Sequence, residues 1–373
     1  MDIGTILLLA SLLMGAVIGD AALFGKTMRV HFTLPASVTS QGMTQEAAEQ
    51  IFISEFARLA DIAYILPFPT IAQANKDSLL SVVAKPLKID PVVEVVQGKF
   101  GSDMVSMKFA MVNGPGSGEI TLLSMVTNAN GQPLRFSISG PEREPDRLVE
   151  AMARRIASET LPYRVALSDY EQGVRGDPTG FERAKALCEK ALAHGFDRST
   201  ATQRVMLYNT LGLIAVHHND LAAAERLWTT GMQVPYANGT AYAIIAANRA
   251  FLAIARRDPV QARAMHDTAM SLRTLPYLAY FDHHLEMLDS LITWAEGDLT
   301  AADDGLAMVG QRLVADTALT YRAHLAAVRG RTEEAQVMAE RAVFLKTLKH
   351  IHPDLAGSVF WVNPAEGGIE LRQ

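Results

Sequence analysis

The 373-residue chain has one cysteine, Cys188, and no run of five or more like charges. A single thiol excludes an internal disulfide and any cysteine-based zinc site, which fits the cytoplasm and leaves the bacterial periplasm open. The 34 basic and 40 acidic residues are dispersed and give a net charge of -6. Without a basic arm or patch the chain lacks the electrostatic footprint of a nucleic-acid binder. There is no Gly-x-Ser-x-Gly elbow, no two-histidine zinc helix with its glutamate, no helix-turn-helix that reads DNA, and no cyclase or kinase motif. Together these absences predict a protein that is not an enzyme, with no catalytic, cofactor-binding or metal-binding residues.

What is present is bulk apolar content: 49% of residues are hydrophobic and 20% charged, enough for a sizeable core and for two or three domains. The most concentrated part comes first. MDIGTILLLASLLMGAVIGDAALFG carries no charge from Ile3 to Gly19, and its apolar character resumes after Asp20 as far as Phe24. About 20 helical residues at ~1.5 Å rise span the ~30 Å hydrocarbon layer, so residues 1–26 are expected to form a transmembrane helix or signal anchor. A cleaved signal peptide or a buried soluble helix are the other readings. Lys26 and Arg29 follow the run and place the bulk in the cytoplasm by the positive-inside bias, while an exported domain behind a short tail is an equally common bacterial plan. A single-pass protein of the bacterial inner membrane is expected, its side left open. Ser11, Gly15 and Gly19 recur every four residues on one helix face, where small residues admit a second membrane helix.

Residues 30–160 read as a small α+β domain. VHFTLP is a strand or an extended lead-in, and Thr44 caps the helix MTQEAAEQIFISEFARLADI, in which Ile51, Phe52, Phe56, Leu59 and Ile62 share a face. SLLSVVAKPL predicts a second helix. VVEVVQGKF, SDMVSMKFAMV, GEITLLSMVTN and PLRFSISG then predict four strands joined by tight turns, an antiparallel sheet. Pro145 opens a helix whose Leu148, Met152 and Ile156 can cover it. NGPGSGE joins two strands and lacks the Gly-Lys-Ser/Thr ending of a phosphate-binding loop, so it is read as a hairpin turn.

From residue 161 to 350 the strand signal vanishes and a turn-plus-helix start recurs: RGDPTGFERAKALCEKAL, HNDLAAAERLWTTGM, RRDPVQARAMHDTAM, EGDLTAADDGLAMV and RGRTEEAQVMAERAV. The aligned alanines Ala184, Ala224, Ala262, Ala302 and Ala335 are 40, 38, 40 and 33 residues apart, the length of a helix-turn-helix unit. Tyr208, Leu211, Gly212 and Ala215, followed by Ala224, Trp228, Gly231 and Pro235, give the pattern its best form. It resembles the tetratricopeptide repeat family over about half the chain. Other units depart from it: Arg249 stands for the Leu, His266 and Ala339 for the large aromatic, and Ser290 for the Gly. The resemblance implies an all-α superhelix with a groove lined by the first helices, and a protein or peptide held there. The positions carried over from the family are Asn209, Leu213, His217, Phe251, His284, Met287, Trp294 and His324, whose apolar and neutral polar mixture suits an apolar anchor. Packing of Phe251 and Trp294 between the hairpins is the competing expectation.

The remaining candidates are weak. His217-His218 and His283-His284 are adjacent pairs, which point about 100° apart on a helix and cannot grip one metal. Cys188 sits where a repeat packs its second helix, Asp303-Asp304 reads as a solvated helix face, and residues 351–373 are expected to fold back over the last hairpin. The expected function is a membrane-anchored interaction scaffold, an assembly or accessory subunit of a membrane complex, with protein partners, lipid around its N-terminal helix and no nucleic acid. The alternative is a regulatory protein whose β-rich domain senses a ligand and whose repeats relay it.

Overall fold

A computed structural model describes residues 29–60, 106–114, 116–127, 133–193, 200–273, 279–310, 315–348, 360–364, 366 and 369–371. The N-terminal run with Ser11, Gly15 and Gly19, the SLLSVVAKPL helix and the VVEVVQGKF strand lie outside them. No helix among the described residues is long and apolar enough to cross a membrane. The class is α+β, mostly helical with a small mixed sheet, and the described chain forms two compact units, one ending at Thr160 and one beginning at Leu161.

In the first unit, β1 (Arg29–Thr33), α1 (Ala36–Thr39) and α2 (Gln45–Ala60) precede β2 (Ser106–Asn113), β3 (Glu119–Thr127), β4 (Pro133–Pro141) and α3 (Pro145–Thr160). The sheet order is β1-β2-β3-β4, with β2 to β4 antiparallel. The expectation of a wholly antiparallel sheet is corrected at one edge: β1 runs parallel to β2. Parallel neighbours cannot be joined by a tight turn and require a crossover, and the connection here carries α1 and α2. Met107, Phe109, Met111, Ile120, Leu122 and Val126 alternate onto the buried face, where Phe52 and Phe56 of α2 and Met152 and Ile156 of α3 cover them. Phe109 stacks on Phe32 at 4.4 Å between ring centroids and meets Phe52 at 4.6 Å. Each such ring contributes about 1.5–3 kcal/mol by burial, so this cluster anchors α2 and β1 to the sheet. The Thr44 hydroxyl accepts the Ala47 N–H at 3.1 Å, capping α2 as the sequence predicts. NGPGSGE is a hairpin turn closed by the Gly114 N–H on the Glu119 carbonyl at 2.7 Å.

The second unit is a series of five antiparallel helical hairpins: α4 (Pro162–Val174) with α5 (Pro178–Ala193), α6 (Ala201–His217) with α7 (Leu221–Met232), α8 (Gly239–Ala255) with α9 (Pro259–Leu272), α10 (Ala279–Ala295) with α11 (Leu299–Val309), and α12 (Ala315–Val328) with α13 (Thr332–Leu348). Every turn is built alike. A residue with positive φ, namely Gly176, Asn219, Arg257, Gly297 or Gly330, reverses the chain. In four turns the next residue is an aspartate, and Asp177, Asp220, Asp258 and Asp298 accept the N–H of Thr179, Ala223, Gln261 and Ala301 at 2.8 to 3.0 Å. Each cap is worth about 1 kcal/mol. Arg257 holds its left-handed conformation against a cost of about 1–2 kcal/mol that glycine would not incur.

The aligned alanines are the crossing points of the pairs: Ala184, Ala224, Ala262 and Ala302 are fully buried and Ala335 is 9% exposed. At Gly212 a Cβ would lie 2.1 Å from Trp228 Nε1, so the indole of α7 rests directly on the backbone of α6. Where hairpin four has Ser290 in place of that glycine, the gap comes from the other helix, since a Cβ on Gly305 would lie 2.4 Å from Ser290 Oγ. Between hairpins, α6 packs on α4, α8 on α6 and α10 on α8, and each second helix packs on the next first helix. At three of these four junctions the residue after the aligned alanine makes an ion pair. Glu225 takes Arg249 at 2.7 Å, Arg263 takes Glu296 at 2.9 Å along with Asp289, and Asp303 takes Arg322 at 2.9 Å.

Candidate interaction site

The eight groove positions lie along the first helices, yet most face inward. Asn209, Leu213, His284 and Met287 are fully buried, and Phe251 and Trp294 are 1% and 2% exposed. Only His217 and His324 are half-buried. The reason is visible in α6 and α8, whose YNTLGLIAV and AYAIIAANRAFLAIA runs have no polar stripe. A helix apolar on all sides is buried on all sides, and α8 buries every residue from Ala243 to Ala255 except Arg249. Phe251 and Trp294 follow the packing alternative: Phe251 lies against His284 with centroids 5.3 Å apart, and Trp294 against His324 at 5.5 Å.

Two buried amides of this row pair across hairpins. Asn248 of α8 donates its Nδ2–H to Asn209 Oδ1 of α6 at 2.8 Å, and the Trp228 indole N–H reaches the Asn209 carbonyl at 3.3 Å. A buried amide left without its partner costs about 1–3 kcal/mol, so this link fixes the register of hairpin two on hairpin three. His217 lies tilted against Phe181 of hairpin one, with ring centroids 4.0 Å apart, and His218 is edge-on to the same ring at 5.7 Å. Burial, reinforced by the charge of His218, lowers the His217 pKa below its ordinary 6.5.

The other candidates resolve into structure. Cys188 is buried, and its surroundings raise the thiol pKa, first by desolvation and then through Glu189 and Asp169, so it stays protonated and a poor nucleophile. His283 pairs with Glu286 at 3.3 Å, and no group of potential metal ligands occurs among the described residues. Asp303 is not on a solvated face. Its carboxylate side chain is 13% exposed and holds Arg322 at 2.9 Å and Arg331 at 2.7 Å. Burial alone would raise its pKa, but the hydrogen bonds from Arg331 and Arg322 outweigh it and keep the carboxyl below the usual range.

Two features went unread in the sequence. The first is a C-terminal strand pair, β5 (Phe360–Val362) with β6 (Ile369–Leu371), whose signal was an apolar FWV run followed by Pro364 and a Gly-Gly turn. Among its described residues the anchors lie on hairpin three and on hairpin five. β5 packs on α8, the Val362 N–H donates to the Tyr321 hydroxyl of α12 at 3.4 Å, and the Arg257 Nε–H donates to the Glu366 carbonyl. Val362 is 1% exposed and Pro364 is buried. The second is a 440 Å³ cleft on hairpin five with Leu319, Val337 and Met338 as its apolar lining and Arg322, Glu333, Glu334 and Arg341 as its charged rim.

No family model, curated protein or solved structure matches the chain. The helical-hairpin architecture therefore rests on the geometry above.

Proposed function

We propose that the chain is a membrane-anchored interaction scaffold, an assembly or accessory subunit of a membrane complex, whose tetratricopeptide-like stack holds a protein partner. The observation that carries this reading is the hold of the stack on the main chain of a C-terminal segment: β5 packs on α8, the Val362 N–H donates to the Tyr321 hydroxyl of α12, and Arg257 of the α8–α9 turn donates to the Glu366 carbonyl. A helix stack that holds an extended chain by its backbone uses the means by which peptide-binding surfaces work. The cleft on hairpin five adds an apolar floor with a charged rim, the composition of a protein interface. The tether is the N-terminal apolar run, with Ser11, Gly15 and Gly19 as its helix-packing face and lipid as its surroundings, in a bacterial inner membrane. The partner face is correspondingly narrower than the eight family positions: His217 and His324 keep some exposure, and the other six act as packing beneath it.

Photo-crosslinking residues placed at Val260, which is 80% exposed, at Val337 in the cleft, and at Lys108 on the sheet test the reading in intact cells. The expected result is one partner captured from the membrane fraction by Val260 or Val337 and not by Lys108. Capture confined to Lys108, or none from any position, overturns it. The sensor alternative has its own surface in the open sheet face, where Val112, Leu123 and Met125 are 41%, 41% and 44% exposed, and a ligand protecting that face from labelling would favour it.

A further inference from the structure

We propose that residues 360–371 are a built-in ligand of the first-helix face, and that their seat takes an extended partner segment with a branched apolar residue and a proline two positions later. This rests on the scaffold reading and names what the stack would hold. The seat recognises the backbone: the Tyr321 hydroxyl accepts the Val362 N–H, and the Arg257 guanidinium donates to the Glu366 carbonyl. Neither bond depends on a side chain of the segment, so another chain in the same conformation would receive both. Selectivity comes from the two buried side chains, Val362 at the end of β5 and Pro364 in the turn that follows it. After β5, Asn363 Oδ1 accepts the Glu366 N–H at 3.1 Å.

Two further observations mark this as a docked and exchangeable element. A pair of three-residue strands is too small to hold itself together in water, so β5 and β6 depend on the seat for their order. At the seat stands Arg257, with φ of 59° where three of the other four hairpin turns use glycine. A strained arginine kept at a contact is a functional marker when the contact is what uses its side chain.

The experiment uses a fluorescein-labelled peptide with the sequence of residues 357–373, titrated by anisotropy into the full-length chain and into the same chain carrying Val362→Asp. The substitution buries a charge at the anchor and should unseat the tail. The Val362→Asp chain is expected to bind the peptide at least tenfold more tightly than the wild type, whose own tail competes. A peptide bearing the same substitution should not bind, and Arg257→Gly in the unseated chain should weaken binding severalfold. Equal binding by wild type and Val362→Asp chains, or no binding by a folded Val362→Asp chain, overturns the proposal. Should that chain fail to fold, a chain ending at residue 356 is read in the same way, and failure of both to fold shows the hairpin to be core and rejects the proposal. Crosslinking of an external partner to Val260 or Val337 would survive any of these outcomes, so the scaffold reading and this one fail separately.

Discussion

Hairpins two and three are built as an interior, whereas hairpin five is built as an end. In α6 and α8 nearly every residue is buried, and the closest approaches are made by Gly212 under Trp228 and by the Asn209–Asn248 amide pair. In hairpin five the aligned Ala335 is 9% exposed, Val328 is 50% and Val337 65% exposed, and a cleft opens between its helices. The two regions share their turn geometry and the alanine crossing, so local sequence preference does not separate them. Neighbours do: among the described residues the middle hairpins are flanked by a hairpin on both sides, while hairpin five packs on α11 and meets the tail at Tyr321. A stack in which each unit is stabilised by its interfaces concentrates its stability in the middle, and apolar surface at an end is surface available to a partner.

The largest effect expected from breaking that contrast is at Trp228. Trp228→Ala removes a fully buried indole seated on Gly212 and should cost about 3–5 kcal/mol. Val337→Ala, on the cleft wall, should stay within about 0.5 kcal/mol, as exposed substitutions do. Urea denaturation followed by helical circular dichroism measures both. Similar costs at the two positions would mean that hairpin five is as interior as hairpin two, and the contrast would fall.

A middle-sized effect tests whether the central hairpins are tied by polarity as well as by packing. Asn248→Leu leaves Asn209 Oδ1 without the bond it now receives at 2.8 Å, at a cost of about 1–3 kcal/mol. Adding Asn209→Leu removes the stranded amide, so the double variant should recover part of the loss. A double-mutant cycle with no coupling would show that the pair sets nothing between α6 and α8.

Much of this was legible in the residues. The aspartate-led turns, the buried alanines and the Gly212–Trp228 contact follow from short-range pattern, because caps, αL turns and close crossings demand particular residue types. Three of the four sheet strands and both helices that cover them were equally plain. The parallel placement of β1 was not, since period-2 alternation reports which face a residue takes and says nothing of which neighbour the strand chooses. Of the eight groove positions, six are buried and two, His217 and His324, are half-buried. Family positions place residues on the first helices, but whether a face stays open depends on what else in the chain covers it. For α8 the warning was its lack of any polar stripe. The strand-forming tail was written in FWV and Gly367-Gly368, while the seat it takes joins Arg257 and Tyr321 to Glu366 and Val362 across long chain separations that no local pattern encodes.

The smallest effect expected is one of pH, and it sharpens the contrast between the junction of hairpins one and two and the end of the stack. His217 packs against Phe181, and burial, aided by His218, lowers its pKa from 6.5. Above about pH 6.5 the imidazole is neutral in both folded and unfolded chains and the full stability is present. As the pH falls below that value, the unfolded chain takes up a proton that the folded one resists, so stability declines until the folded pKa is passed. Asp303 at the other end of the stack acts later. Its lowered pKa leaves its contribution intact above about pH 4 and removes it only as the pH drops through the folded value. Urea midpoints at pH 7.5 and 5.5, compared between the wild-type chain and His217→Gln, therefore report on His217. The wild-type chain should lose more stability between them than His217→Gln, by a modest margin because the imidazole remains half-exposed. An identical loss in the two chains would show that the Phe181 contact accepts the imidazolium as readily as water does, and that the junction is less closed than its geometry implies.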